Sequence, residues 1–401
     1  MFDAIVVGAR CAGSPTAMLL ARKGHRVLVV DRANFPSDVP STHFVWPHGL
    51  SYLNRWGLLK QVLATTPSHT VLNVVQDGIE LSGTVPLHLL REHFRELHGD
   101  DSGVVQRYAS VRRRVLDKIL LDAAADAGAQ VRTGFVVEEL IQDKGRVVGI
   151  RGKTQDGRSV EERARVVVGA DGRNSSVARA LGLRKHDVRH KCTFAYWGYY
   201  SGFTLPSAYM YQRGRLGVAA APTNFGQNML LVWGPRELAE EFRVDLAGNF
   251  EQALDLVSPE LGKRVRAQGK REGRLFATLD QSAYLRPLFG QGWVLAGDAQ
   301  CFKDQCTAIG MTHAFRDAEL LAAGLDDWLS GDSAFDVALK HYESCLRGPA
   351  ATAYYDYVCA QAEMRALDHD ELQFLSGLRD DQQQTDHFIA MHGGIAIHST
   401  R

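Results

Sequence analysis

The chain has 401 residues, 45% apolar and 23% charged, with 46 Lys plus Arg against 46 Asp plus Glu. That length exceeds one small core and fits two intimately joined domains. The balanced charge leaves no electrostatic footprint for nucleic acid or an anionic membrane, and no apolar stretch is long enough to span a bilayer. A strand begins almost at once, at Asp3-Ala4-Ile5-Val6-Val7, without the basic start and apolar run of a secretory signal. The 6 cysteines form no CxxC pair, so a reducing cytoplasm is the expected compartment.

In chain order, residues 3–31 read as strand, helix, strand, closing on Val27-Leu28-Val29-Val30-Asp31. A loop with Pro36, Pro40 and Pro47 follows, then a helical stretch over 50–63. Residues 111–127 carry apolar side chains at helix spacing and stop at Gly128. Short strands are expected around 129–137, 145–153 and 158–168, parted by the turns Asp143-Lys144-Gly145 and Asp156-Gly157. From 190 to 280 the character changes to aromatic strands (193–200, 208–212, 228–233) around a charged helical stretch near 236–266. An α/β pattern then returns, with a strand over 292–296 and a helix over 310–329. A long helical region over 334–374 and a polar tail after Gly377 complete the chain, which has no internal repeat.

The first turn, Gly8-Ala9-Arg10-Cys11-Ala12-Gly13-Ser14-Pro15, has the parts of a dinucleotide site. Such a site needs a tight turn, close backbone approach to a pyrophosphate, and a helix N-terminus aimed at it. Gly8 supplies the turn and Gly13 the close helix–strand packing, while Ser14 and Pro15 suit a helix start. Asp31, with Arg32 beside it, ends the second strand where ribose hydroxyls would lie. Arg10 occupies the middle glycine position of GxGxxG, and the sequence leaves open whether it faces solvent or phosphates. Two later segments share one plan, a buried strand ending in a small-residue turn with an acid: Val168-Gly169-Ala170-Asp171-Gly172 and Ala296-Gly297-Asp298-Ala299. The second leads to a helix mouth at Gly310-Met311. An extended FAD needs a second acidic contact for its ribityl hydroxyls and gains from a helix N-terminus at the flavin edge.

These three motifs, in this order, resemble the FAD-dependent monooxygenases of the p-hydroxybenzoate hydroxylase type, whose superfamily also holds geranylgeranyl reductases and flavin halogenases. The resemblance covers the first ~190 residues and about 275–330. It implies an α/β fold: a Rossmann-like FAD-binding domain of the glutathione-reductase type, interrupted by an inserted, mostly antiparallel substrate sheet and followed by C-terminal helices. The cofactor domain would comprise 1–75, 100–190 and 275–330, the sheet domain 76–99 and 190–275, and the helical region and tail 331–401. Arg113, in Arg113-x-x-Leu116-Asp117, matches a family motif near the FAD pyrophosphate. By that match Gly8, Gly13, Asp31, Arg32, Arg113, Asp171, Asp298, Gly310 and Met311 contact or frame the cofactor. After Asp298 the chain departs from the family's histidine and proline, reading Ala299-Gln300-Cys301-Phe302-Lys303-Asp304-Gln305-Cys306.

In the hydroxylase reading NADH or NADPH reduces the flavin, O2 adds at C4a, and the resulting hydroperoxide oxygenates a small, cyclic organic substrate, with secondary metabolism as a setting. No second dinucleotide motif is present, so the nicotinamide docks transiently or a partner flavin reductase delivers electrons. A monomer or homodimer is expected. Trp46, Tyr196, Tyr200, Tyr211 and Trp233 are candidates for an aromatic substrate wall, the bland alternative for each being ordinary sheet core. His43 and His48 flank Trp46-Pro47 and either could serve as general base, a hydrogen-bonded structural histidine being the plainer reading. Cys301 and Cys306 have the spacing of a redox pair in the wrong motif, which favours packed thiols. No metal motif is present. The alternatives are a reductase of the geranylgeranyl type, a halogenase, whose tryptophan segment is not matched by Phe44-Val45-Trp46-Pro47 or Val232-Trp233-Gly234-Pro235, and a non-catalytic flavin-binding protein.

Overall fold

The strand Val27–Val30 is buried at every position, and so are the last four residues of Phe2–Val7 and of Ser159–Gly169. Strands apolar on both faces belong in a parallel sheet between two layers. The computed structural model, which describes residues 1–395, builds that sheet. Trp293–Leu295, Ser159–Gly169, Phe2–Val7, Val27–Val30 and Gln130–Arg132 lie side by side, all parallel. Helices Gly13–Arg22, Arg113–Asp126 and Gly310–Ser330 pack with this sheet into one core through Met18, Leu20, Leu116, Leu120 and Phe315. The register sets the site. Val7 pairs with both Val30 and Gly169, and Gly169 pairs with Leu295, so three strand ends stand in one row. Ligands of open α/β sheets bind outside such carboxyl ends.

The second sheet runs in the order Lys270–Arg271, Thr193–Ser201, Asn228–Pro235, Leu216–Pro222, Ala208–Arg213, Leu72–Gln76, Ile79–Gly83. All its pairings are antiparallel except Ala208–Arg213 with Leu72–Gln76. Helices Leu246–Val257 and Pro259–Gln268 cover one face through Phe250, Leu254 and Leu261. The domain boundary expected at residue 75 falls inside a strand of this sheet. The chain crosses over before Leu72, whose strand lies against Ala208–Arg213.

The C-terminal region divides more finely than its apolar spacing suggests. Gly348 separates Lys340–Arg347 from Pro349–Ala362, which Pro349 opens, and His369–Leu378 follows. The polar segment after Gly377, expected as a tail, is mostly helix Gln382–His392. It is started by the Asp381 side chain accepting from the Gln384 N–H, and docked by Asp386, which accepts from the Thr84 N–H at 2.8 Å. Residues 396–401 of the expected tail lie outside the described residues. Among the described residues no helix is long and apolar enough to cross a membrane.

Candidate functional site

The strand ends place the acids and glycines of all three motifs together. Gly8 has φ +102°, and a Cβ there would lie 2.4 Å from the Ala170 carbonyl oxygen. A Cβ on Gly13 would lie 1.7 Å from the Gly8 carbonyl oxygen. Both positions exclude any side chain, the first by conformation as well as space. Asp31 is oriented by two backbone donors, the N–H groups of Ala9 and Ala33, each at 2.8 Å. Arg32 beside it is exposed. Asp171 accepts from the Ser176 N–H at 2.6 Å with one oxygen, while its other oxygen is buried without a partner. Ser14 Oγ, at the start of helix Gly13–Arg22, is also buried and unpartnered.

Arg10, which is part-buried, turns back onto the protein. Its guanidinium donates to Asp117 at 2.7 Å and to Ser37 Oγ at 2.9 Å, and lies over the Phe35 ring. Asp117 is fully buried and also accepts from Arg113 Nε at 2.9 Å and from the Cys11 thiol at 3.4 Å. Two guanidiniums on one carboxylate leave a positive charge at the fingerprint, where a pyrophosphate would be neutralised. Asp298 emerges from the third strand end. Burial pushes its carboxyl up, and the charges of Lys303, Arg113 and Arg173 oppose that push.

The third motif ends in a loop whose unusual Asp304-Gln305 is structurally explained. Asp304 accepts from the Thr193 N–H at 2.7 Å, the Thr193 hydroxyl at 2.8 Å and the Cys306 N–H at 3.0 Å. The loop is thereby tied to the first long strand of the second sheet without the family's proline. Burial pushes the Asp304 carboxyl up to about 6 against those hydrogen bonds. Ala308 takes φ +53° and launches helix Gly310–Ser330, with Gly310 exposed at its mouth. A Cβ on Gly310 meets no protein atom within 4 Å. Met311 meets the loop after the second strand, its sulfur 3.9 Å from Ser41 Oγ.

His43 belongs to that loop, with φ +60°, fully buried. Its Nε2 is hydrogen-bonded to the Tyr199 hydroxyl at 2.6 Å, while Nδ1 has no partner. The Arg112 guanidinium stacks 3.8 Å above the Tyr199 ring and donates to Asp38 at 2.6 Å. Burial first, then the charges of Arg113 and Arg112, push the His43 imidazole down to about 3. His43 is therefore neutral near pH 7 and a weak base, suited to holding a hydrogen bond rather than to general base catalysis. His48 is elsewhere. It is buried beside His93 on the wall of a second cavity, and burial again keeps it neutral.

The aromatic candidates separate by sheet face. Trp233 lines a narrow apolar cavity of about 40 Å³ with Phe44, Met229, Leu231 and Cys306, between the second sheet and the third-motif loop. Tyr196, Tyr200 and Tyr211 lie on the opposite face. Tyr196 stacks on Phe242 at 5.4 Å, Tyr200 on Phe250 at 6.3 Å, and Tyr211 on Tyr209 at 5.7 Å. Alternation along the strand carries them away from the cavity, into the layer of covering helices. Trp46 is fully buried, and its Nε1–H donates to the Thr307 carbonyl at 3.0 Å, bracing the third-motif loop. Cys301 and Cys306 are separate free thiols in different clusters. The sequence reading did not single out Tyr199, Arg112 and Asp38. Strand alternation sets Tyr199 with Trp197 on the face opposite Tyr196 and Tyr200 but does not otherwise distinguish it, and nothing local marks the other two.

The residues present fit FAD: two backbone positions closed to any Cβ, paired arginines at the fingerprint, an unpartnered Asp171 oxygen, and an open cradle at Gly310. A sequence profile described as FAD binding domain matches residues 1–356. Protein FixC of Escherichia coli (strain K12) is 33% identical over 186 residues, 46% of this chain and 40% of that protein. The chain thus spans about 40% of the length of the curated relatives it first matches. Among solved structures, flavin-dependent brominase Bmp2 has a TM-score of 0.80 at 20% identity, covering 98% of this chain and 93% of that one. Pseudomonas aeruginosa PqsL, in complex with 2-aminobenzoylacetate, has a TM-score of 0.72 at 23% identity, covering 94% and 99%. At such identities the likeness shows the fold.

Proposed function

The chain belongs to the FAD-binding-domain family, and from that premise we propose that it is an FAD-dependent monooxygenase acting on a small, cyclic organic molecule. In this reading electrons come from NADH or NADPH, directly or through a partner flavin reductase, and oxygen from O2. Bound FAD supplies the two-electron chemistry and the activation of oxygen. The observation that carries the reading is the apolar wall of Trp233, Met229 and Leu231, closed by the same loop that leads into Gly310; at about 40 Å³ the space against it is below the range of small-molecule sites, so a cyclic substrate would have to widen it. A water-poor wall beside the flavin edge is what oxygen transfer requires of a protein.

The chain's own residues have separable tasks. Gly8 and Gly13 would let the backbone approach the pyrophosphate of FAD, the positive charge that Arg10 and Arg113 bring to Asp117 would help to neutralise it, and Asp31, Asp171 and Asp298 would face the hydroxyl-bearing parts of FAD. The first amides of helix Gly310–Ser330 favour negative charge at the flavin edge. Tyr199 and Arg112 fix the ring of His43, so that its unpartnered Nδ1 stays in one orientation within the site. Met229, Leu231 and Trp233 exclude water from the substrate. The 6 cysteines are all free, which suits a reducing cytoplasm.

A second reading, halogenation, is favoured by the likeness to brominase Bmp2. Against it, none of the described residues lining the apolar cavity is a lysine. Both readings are tested together. The FAD-loaded protein is given NADH or NADPH, oxygen-18 gas and a panel of small aromatic compounds, with and without bromide. A product heavier by one labelled oxygen in either salt supports the monooxygenase. A brominated product appearing only with bromide supports the second reading. Nicotinamide oxidation no faster than with free FAD, with a reductase also present and no labelled product, rejects both.

A further inference from the structure

A second cavity, about 360 Å³, lies behind the third motif, between the Gln300–Lys303 segment, helix Gly310–Ser330 and the C-terminal helices. Its volume is in the range of small-molecule sites, unlike the narrow cavity on the sheet side. We propose that it is a binding site for a small cyclic carboxylate bearing a hydrogen-bond donor, a ligand distinct from the molecule handled at the sheet-side cavity.

The charge of the inner wall points to the carboxylate. Lys303, Arg316 and Arg347 all line it. Arg316 is matched by Asp317 at 2.8 Å. Lys303 instead meets the Cys301 sulfur at 3.2 Å, and Arg347 donates to the carbonyls of Leu346 and Arg286 at 3.1 and 3.0 Å. Among the described residues neither forms an ion pair with a carboxylate. Two partly buried cations without an ion-paired carboxylate are an unfavourable arrangement in a wall that could have been apolar. The carboxylates on the rest of the wall, Glu92 and Glu96 on helix Leu87–His98 and Asp187, are all exposed, and Asp187 is matched by Arg189 at 2.7 Å.

The requirement for a donor follows from Gln300. Its amide nitrogen donates to Asp317 at 3.0 Å, so its orientation is set, and its oxygen has no partner although the residue is 2% exposed. His48, 3% exposed on the same wall, likewise has an unpartnered Nδ1. Leu285, Leu346 and Ala351 supply an apolar surface for a ring.

Occupancy has a route to the cofactor site. Lys303 is the foremost charge opposing burial at Asp298. Asp317, which holds Gln300 and Arg316, also accepts from the Gly297 N–H at 3.0 Å. An anion bound at Lys303 therefore weakens the positive field at Asp298 and acts on the turn that carries it. The visible spectrum of bound FAD reads this without turnover, so the proposal stands or falls separately from the monooxygenase reading.

The test titrates indole-3-carboxylate, which has a carboxylate and one ring N–H, into the FAD-loaded full chain by calorimetry and by flavin absorbance. Saturable binding with a shift of the flavin bands is expected, weakened at least tenfold by K303Q and by R347Q. The uncharged indole-3-carboxamide should bind at least tenfold more weakly, and M229A on the sheet side should leave the affinity within twofold. Lys303 and Arg347 stand on different elements, so a variant that fails to load FAD leaves the other to report. The proposal is overturned by no saturable binding up to millimolar concentration, by equal affinity of both lysine and arginine variants with wild type, or by a loss that follows M229A instead.

Discussion

Gly310→Ala separates a role in the protein from a role toward the cofactor. A Cβ at this position meets no atom within 4 Å, and Gly310 is absent from the left-handed backbone positions, so the apoprotein has neither a clash nor strain to absorb. Alanine should even stabilise helix Gly310–Ser330, by up to about 1 kcal/mol in a helix interior and less at the first turn. Toward FAD the sign reverses, because the methyl group enters the cradle at the helix mouth. Overpacking a fitted site costs about 1–3 kcal/mol, which corresponds to roughly 5- to 140-fold weaker FAD binding. The assay pairs the thermal midpoint of the apoprotein with FAD affinity from flavin fluorescence quenching. The midpoint should hold or rise while affinity falls. Unchanged affinity, or a destabilised apoprotein, refutes the placement of the flavin edge at Gly310.

Asp117→Asn removes the carboxylate shared by Arg10, Arg113 and the Cys11 thiol. Leaving these part-buried guanidiniums without their buried anion should cost up to about 3–5 kcal/mol in urea unfolding, and a loss below about 1 kcal/mol would count against the shared pairing. His43 couples stability to pH: its imidazole is pushed from 6.5 down to about 3, so the folded state binds fewer protons than the unfolded one. The contribution is whole above pH 6.5 and is lost as pH falls toward 3, amounting to about 2 kcal/mol by pH 5. His43→Asn, which tolerates the positive φ, should lose that much less stability than wild type between pH 7.5 and 5, and an equal loss in both proteins defeats the linkage. Tyr196→Phe deletes a buried hydroxyl that has no partner, on the helix-covered face. Stability should hold or rise by up to about 1 kcal/mol with substrate affinity unchanged, whereas weakened substrate binding would place Tyr196 at the cavity after all.

What the sequence revealed and what it hid divide along a physical line. The parallel core was legible because strands such as Val27–Val30 are apolar at every position, and because Phe2–Val7 runs into a turn whose Gly8 has neither the backbone conformation nor the room for a side chain. The sidedness of the second sheet was not. Every residue of Thr193–Ser201 except the last is buried, so no polar face marks which side meets helices and which meets the cavity. Alternation could sort Tyr196 and Tyr200 from Trp197 and Tyr199, but not say which pair mattered. The helix Gln382–His392 was hidden for the opposite reason, its polar surface concealing the few contacts, through Ile389 and Ala390, that dock it.

Arg10 shows the same limit at the fingerprint. A side chain in the middle glycine position is tolerable only if it is drawn away from the path of the pyrophosphate. What draws it is Asp117, 107 residues downstream, together with the Phe35 ring beneath the guanidinium. The acid that receives it was already marked by the Arg113-x-x-Leu116-Asp117 pattern, but as part of a separate motif. Because Arg113 and Arg10 share that carboxylate, the departure in the first motif and the match in the second form one electrostatic unit. A positive charge at the fingerprint then replaces the bare backbone approach that a glycine would have offered. A degenerate motif is best judged after its long-range partner is known, since the same arginine without Asp117 would obstruct the turn it now completes.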